Sequence, residues 1–191
     1  MKKFLTILGI AAFVFGYSQN GTLIVNNYTP YDFSGYIMAN NFAGGCYPFL
    51  TSSAPDMVTV PANANMGNGN ELRYENYKDQ YTSSLYPISQ WYVQSSSTIS
   101  VLRPWNHAAI MPGGTISNNT KWSATKFNMK YAGTTNGVPG FSNGLTLAGN
   151  TSCYTAPDYF DMTSGGVTNS AEIFTLTSGG INYTYIQLYT F

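Results

Sequence analysis

The chain has 191 residues, with 8 Lys+Arg, 8 Asp+Glu, one His and two Cys; 8% is charged and 16% aromatic. This length fits one domain. The neutral charge balance excludes the clustered cations that nucleic-acid binding needs, and the aromatic and β-branched content excludes disorder. Ala, Glu, Lys and Leu are too scarce for a coiled coil or helical bundle.

Met1-Lys2-Lys3 is a short positive start, and Phe4 to Phe15 is an apolar run. Gly16 and Ser18 then place small residues before a cut after Ser18. This is the three-part pattern of a secretory signal peptide over residues 1–18. The run is shorter than the about 20 apolar residues that span a bilayer as a helix. Residues 19–191 are then expected as a single all-β domain with 6 Lys+Arg against 8 Asp+Glu, a net charge of −2. Export places it outside the cell, in a periplasm or on the cell surface, and the short Lys-Lys start has a bacterial character.

Strand signals come next. Thr22 to Asn26 is a β-branched run ending in Asn-Asn, and Thr29-Pro30-Tyr31-Asp32 is a turn before Phe33 to Met38. Cys46 follows, and in an exported chain it is expected to pair with Cys153. A loop of that length contributes about 4–5 kcal/mol in the chain-entropy model. Met57 to Val60 ends at Pro61, and Asn63 to Asn70 is the most loop-like stretch, expected to be mobile. In Glu71 to Tyr81, the spacing of Tyr74, Tyr77 and Tyr81 predicts a short helix or an ordered loop. Ile88 to Val93 holds Trp91 and Tyr92, and Thr98 to Leu102 stops before Pro104. From Thr125 to Tyr131, Lys126, Asn128 and Lys130 alternate with Phe127, Met129 and Tyr131, which predicts a strand with one wet and one buried face. Glu172 to Thr177 and Ile181 to Phe191 flank Ser178-Gly179-Gly180 as a hairpin. Pro30, Pro61, Pro104, Pro112 and Pro139 are expected in loops.

Short strands between turns predict an antiparallel β-sandwich, for which a jelly-roll or an Ig-like strand order fits equally well. The ending supplies a rival. Tyr183, Tyr185, Tyr189 and Phe191 share one strand face, as in the closing strand of outer-membrane barrels. An eight-stranded outer-membrane β-barrel is therefore the alternative, although runs such as Met57 to Val60 fall short of the about 9–11 residues a barrel strand needs. Leu23-Ile24-Val25-Asn26-Asn27 with Tyr28-Thr29-Pro30-Tyr31 resembles the first strand of thaumatin-like proteins. That family carries many disulfides and this chain has two Cys, so no function is carried over from the resemblance.

Chemical motifs are sparse. One His excludes multi-histidine zinc sites, and two Cys exclude a four-cysteine site. His107 lies in a Pro-flanked loop beside Trp105. Asp158 and Asp161 are the nearest approach to a carboxylate pair, readable as turn aspartates, calcium ligands or a hydrolase pair. No catalytic, cofactor or metal residues are assigned, and no cofactor is expected. The positive feature is aromatic and amide-rich chemistry. Trp91, Tyr92, Trp105 and Trp122 are the candidate ligand-binding residues. Flat rings stack on the apolar faces of sugars while Asn, Gln and Thr meet the hydroxyls. The expected function is a secreted, non-catalytic binding module for polysaccharide. The alternatives are a protein-surface or adhesion module, the small outer-membrane barrel, and a small secreted hydrolase. The expected partners are polysaccharide or a surface protein, not nucleic acid, with a membrane involved only for the barrel.

Overall fold

β-Branched and aromatic residues recur in this chain in short runs between Asn, Gly and Pro turns, and each run becomes a strand. In the computed structural model, residues 21–41, 43, 45–52, 57–79, 88–150 and 153–191 are described. Residues 1–18, expected as a signal peptide, and Tyr81 lie outside them. The strands are β1 (Thr22–Asn27), β2 (Tyr31–Asn40), β3 (Phe49–Thr51), β4 (Val58–Val60), β5 (Leu72–Glu75), β6 (Lys78–Asp79) and β7 (Gln90–Gln94). After them come β8 (Ser100–Pro104), β9 (Lys121–Tyr131), β10 (Gly137–Thr146), β11 (Tyr159–Ser164), β12 (Val167–Ser178) and β13 (Ile181–Thr190).

They form two sheets packed against each other, the expected all-β sandwich. One sheet runs β11-β12-β13-β1-β5-β6. The other runs β10-β9-β2-β3-β7-β8, with β4 also on β2. Pairing is antiparallel except between β1 and β13, which run parallel with Thr22 opposite Tyr183 and Asn27 opposite Leu188. Both sheets end in open edges, β11 and β6 in one and β10 and β8 in the other, so they do not close into a barrel. This overturns the barrel alternative. The aromatic alternation of the last strand lies on the outer face of the six-stranded sheet instead.

The core follows the two-residue period. Leu23 and Val25 of β1, Ala171 and Ile173 of β12, and Ile186 and Leu188 of β13 face inward from one sheet. Phe33 and Ile37 of β2, Phe127 and Met129 of β9, and Trp91 and Val93 of β7 meet them from the other. Each of the Val, Leu, Ile, Phe and Met side chains among them contributes about 1.5–3 kcal/mol when fully buried. β9 has the predicted alternation over Lys126 to Lys130, with Phe127 and Met129 buried and Lys126, Asn128 and Lys130 not, but Tyr131, expected on the buried face, is exposed where the strand ends. Cys46 and Cys153 form the expected disulfide, with Cα atoms 4.7 Å apart.

Four local expectations are corrected. Glu71 to Tyr81 does not begin a helix: β5 and β6 form a hairpin in which Glu75 pairs with Lys78. Asn76 turns the chain with a φ of 58°, a left-handed conformation that Asn tolerates better than most residues. The stretch expected to be mobile contains a 3-10 turn at Met66–Asn68 whose amides are paired. Asn65 Oδ1 accepts from Gly67 N at 2.9 Å, and Asn26 Oδ1 accepts from Met66 N at 2.8 Å. Pro104 ends β8, and Pro139 lies inside β10 where the register shifts between Gly137 and Ser142. Both are edge strands, where a missing N–H leaves no partner unsatisfied.

Candidate functional site

The structure divides the four aromatic candidates. Trp91 and Trp122 are 0% and 1% exposed. They meet at 5.7 Å and pack with Tyr74 and Tyr77 in one inter-sheet cluster. Trp91 Nε1 donates to Tyr77 O at 2.9 Å, so its polar edge is satisfied internally. These rings fill the core, because an inward strand position facing the opposite sheet needs large apolar volume. Their flat faces are thus covered by neighbouring side chains. Tyr92 is half-buried on the other face of β7, where its hydroxyl donates to Ser100 Oγ at 2.6 Å. Trp105 is also half-buried, just past β8, with its backbone N–H bonded to Ser89 O at 3.1 Å.

Trp105 belongs to a groove built around the β5–β6 hairpin. A depression of about 270 Å³ lies between Trp105, Met111, Tyr77, Lys78, Asn76 and Glu75. On the other side of the same turn, a second of about 240 Å³ is lined by Arg73, Glu75, Asn76, Tyr183 and the Gly180 turn. The two share Glu75 and Asn76, so the hairpin tip is flanked on both sides by concave surface. Five of the sixteen charged residues in the sequence, Glu71, Arg73, Glu75, Lys78 and Asp79, fall within nine positions here. Arg73 Nε reaches Glu75 Oε1 at 3.3 Å, and Lys78 Nζ lies 5.1 Å from the centre of the Trp105 ring. Aromatic surface, both signs of charge and an amide thus meet within one turn. Tyr77 anchors the turn from below. It is buried, and its hydroxyl shares a 2.5 Å hydrogen bond with Thr120 Oγ1.

The remaining candidates are not brought together. His107 Nδ1 accepts from Ala109 N at 3.2 Å and caps the turn after Trp105, where Ile110 N and Met111 N bond to His107 O. Asp158 borders an inter-sheet cleft that Trp122 also touches. Asp161 lies three residues on, along β11. Phe160 and Met162 pack toward the core, so Asp161 projects to the opposite side. Asp158 lies in a bend before β11 and Asp161 within the strand, so no strand register brings the two carboxylates together. Among the described residues, no group of three or more His, Cys, Asp and Glu side chains is placed to hold a metal ion. No helix among them is long and apolar enough to cross a membrane.

The outer face of the six-stranded sheet is aromatic as well. Tyr28 stacks on Tyr189 at 5.3 Å with planes 2° apart, and Phe174 stacks on Tyr185 at 5.2 Å. Rings stacked face to face present their rims to solvent. Burial and the nearby Glu172 and Tyr28 push the Tyr189 hydroxyl up to about 12.

Sequence reasoning missed Arg73, Glu75, Asn76 and Lys78 as site residues. The signal was present as a knot of charge in a chain that is only 8% charged. No protein-family model, no curated protein and no solved structure matches this chain.

Proposed function

We propose that the chain is an exported, non-catalytic binding module that recognises polysaccharide along the groove at the β5–β6 hairpin. The observation that carries this reading is the pair of depressions sharing Glu75 and Asn76, with Trp105 on one side and Tyr183 on the other. Two adjoining depressions match successive units of a linear polymer better than one closed pocket does. An apolar sugar face stacks on an indole, while Arg73, Glu75, Asn76 and Lys78 offer donors and acceptors to hydroxyls. The disulfide agrees with an oxidising compartment, and the pattern of residues 1–18 supports export.

The test is a glycan array probed with the chain, followed by titration of the best glycan against Trp105→Ala. Saturable binding that weakens about tenfold, ~1.4 kcal/mol, in the variant supports the reading. Absence of saturable glycan binding would refute it. A second reading, adhesion to a protein surface, draws on the outer face of the six-stranded sheet. Tyr159 is 52% exposed and Leu176 55% exposed there, beside rings that show their rims. Such a surface offers the large, stiff contact area that protein interfaces favour. Loss of host-surface adhesion in Leu176→Glu, with glycan binding intact, would favour that alternative.

A further inference from the structure

A larger opening lies elsewhere, between the two sheets. It measures about 400 Å³, within the range of small-ligand pockets. Leu147 and Ala148 supply its apolar lining, above the nearly buried Trp122 of β9 and Ile173 of β12. It opens to solvent past the exposed Ala148 and Thr175, and its shape has a structural reason.

That reason is the loop after β10, which forms one wall and is fastened at several points. Asn40 and Asn150, both buried, exchange side-chain amide hydrogen bonds of 3.0 Å in each direction. Cys153 is tied to Cys46. Leu147 N bonds to Ser123 O at 2.9 Å, Thr146 N to Pro157 O at 2.9 Å, and Ile173 N to Asp158 O at 2.8 Å. The wall therefore cannot fall into the gap without breaking buried bonds, and the cleft is held ready for a ligand before one arrives.

Polar groups stand at the margin of this lining. Asp158 and Lys121 bring opposite charges, and Asn182 and Thr175 bring an amide and a hydroxyl. The opposed charges leave no net field to favour an anion or a cation.

We propose that this cleft binds a small uncharged amphiphile, an aromatic or alicyclic body carrying one hydroxyl head or, on an aromatic body, one amine. The body lies against Leu147 and Ala148, above the buried Trp122 and Ile173, and the head meets Asn182, Thr175 and Asp158 at the rim. This inference does not rest on the polysaccharide reading, because the cleft and the hairpin groove share no lining residue.

The experiment uses the full chain and N-phenylnaphthylamine, an uncharged arylamine whose fluorescence rises in apolar surroundings. Ala148 and Thr175 line the cleft and are exposed, so Ala148→Trp and Thr175→Trp fill it from outside the core. Saturable one-to-one binding is expected for the unchanged chain. It should weaken at least about tenfold in each variant that retains cooperative unfolding, and stay unchanged in Trp105→Ala. Non-saturable binding, or unchanged affinity in either folded variant, would overturn the proposal. So would equal or tighter binding of the anionic anilinonaphthalene sulfonate. Should one variant not fold, the other decides.

Discussion

Two concave regions among the described residues are built on opposite plans. The groove sits on a hairpin of four plus two strand residues at a sheet edge, shaped by one left-handed Asn and anchored by Tyr77. Its chemistry is charge, amide and a half-buried indole. The cleft sits between the sheets, its chemistry is apolar, and its wall hangs from a disulfide and a buried amide pair. A groove that meets a hydrated polymer can rest on local turn chemistry, because its groups act from the surface. The cleft, open to solvent at Ala148 and Thr175, holds its wall in place through long-range ties. The two regions should therefore fail under different perturbations.

Removing the disulfide should have the largest effect. Cys46→Ser with Cys153→Ser should cost about 4–5 kcal/mol in the chain-entropy model, read as a lower urea midpoint. Arylamine binding should weaken in the folded fraction while glycan binding holds. Equal loss of both would break the contrast.

The tryptophans separate next. Trp122→Ala should destabilise by about 3–5 kcal/mol, because it opens a void in the inter-sheet cluster. Trp105→Ala should change stability by about 1 kcal/mol or less yet remove most glycan affinity. Thermal unfolding beside glycan titration checks both.

Asn150→Ala should cost about 1–3 kcal/mol, since it strands the buried Asn40 amide. It should loosen the cleft wall and leave the groove alone. Hydrogen exchange across residues 147–158 would report the loosening.

The smallest effect belongs to the outer face. Tyr189 keeps its proton up to about pH 12 when folded, against about 10 for an ordinary tyrosine. Its contribution to stability is fully present below pH about 10 and is lost as pH rises toward about 12, because only the unfolded chain has released the proton there. Glu172→Gln removes one of the causes and should lower that titration, followed by tyrosinate absorbance, without touching either binding region. A change in glycan or arylamine affinity in that variant would tie the outer face to one of them.

Much of the sandwich is legible in the residues. The alternation of Lys126, Asn128 and Lys130 with Phe127 and Met129 fixes the two faces of β9. Ser178-Gly179-Gly180 marks the turn of the last hairpin, and the two cysteines pair as expected. Other parts are hidden for physical reasons. Tyr74 and Tyr77 are three apart, as on a helix, because a tight turn brings an inward strand position and a turn residue into the same core. Pro139 and three glycines make β10 read as loop, yet an edge strand with a bulge accepts them. The parallel pairing of β1 with β13 joins the two ends of the domain, and no local pattern announces a partner so distant. Trp91 and Trp122 read as surface rings because polar residues surround them in sequence. Their inward register is set by the sheets. The groove escaped notice because its residues come from β5, β6 and the loop after β8, which meet only in the fold.

Titration of an array-selected glycan into the chain, with Trp105→Ala and Ala148→Trp measured in parallel, decides between the groove and the cleft. Trp105→Ala should weaken binding about tenfold, and Ala148→Trp should leave it unchanged. The reverse pattern would place the sugar in the inter-sheet cleft and contradict the hairpin groove as the binding site.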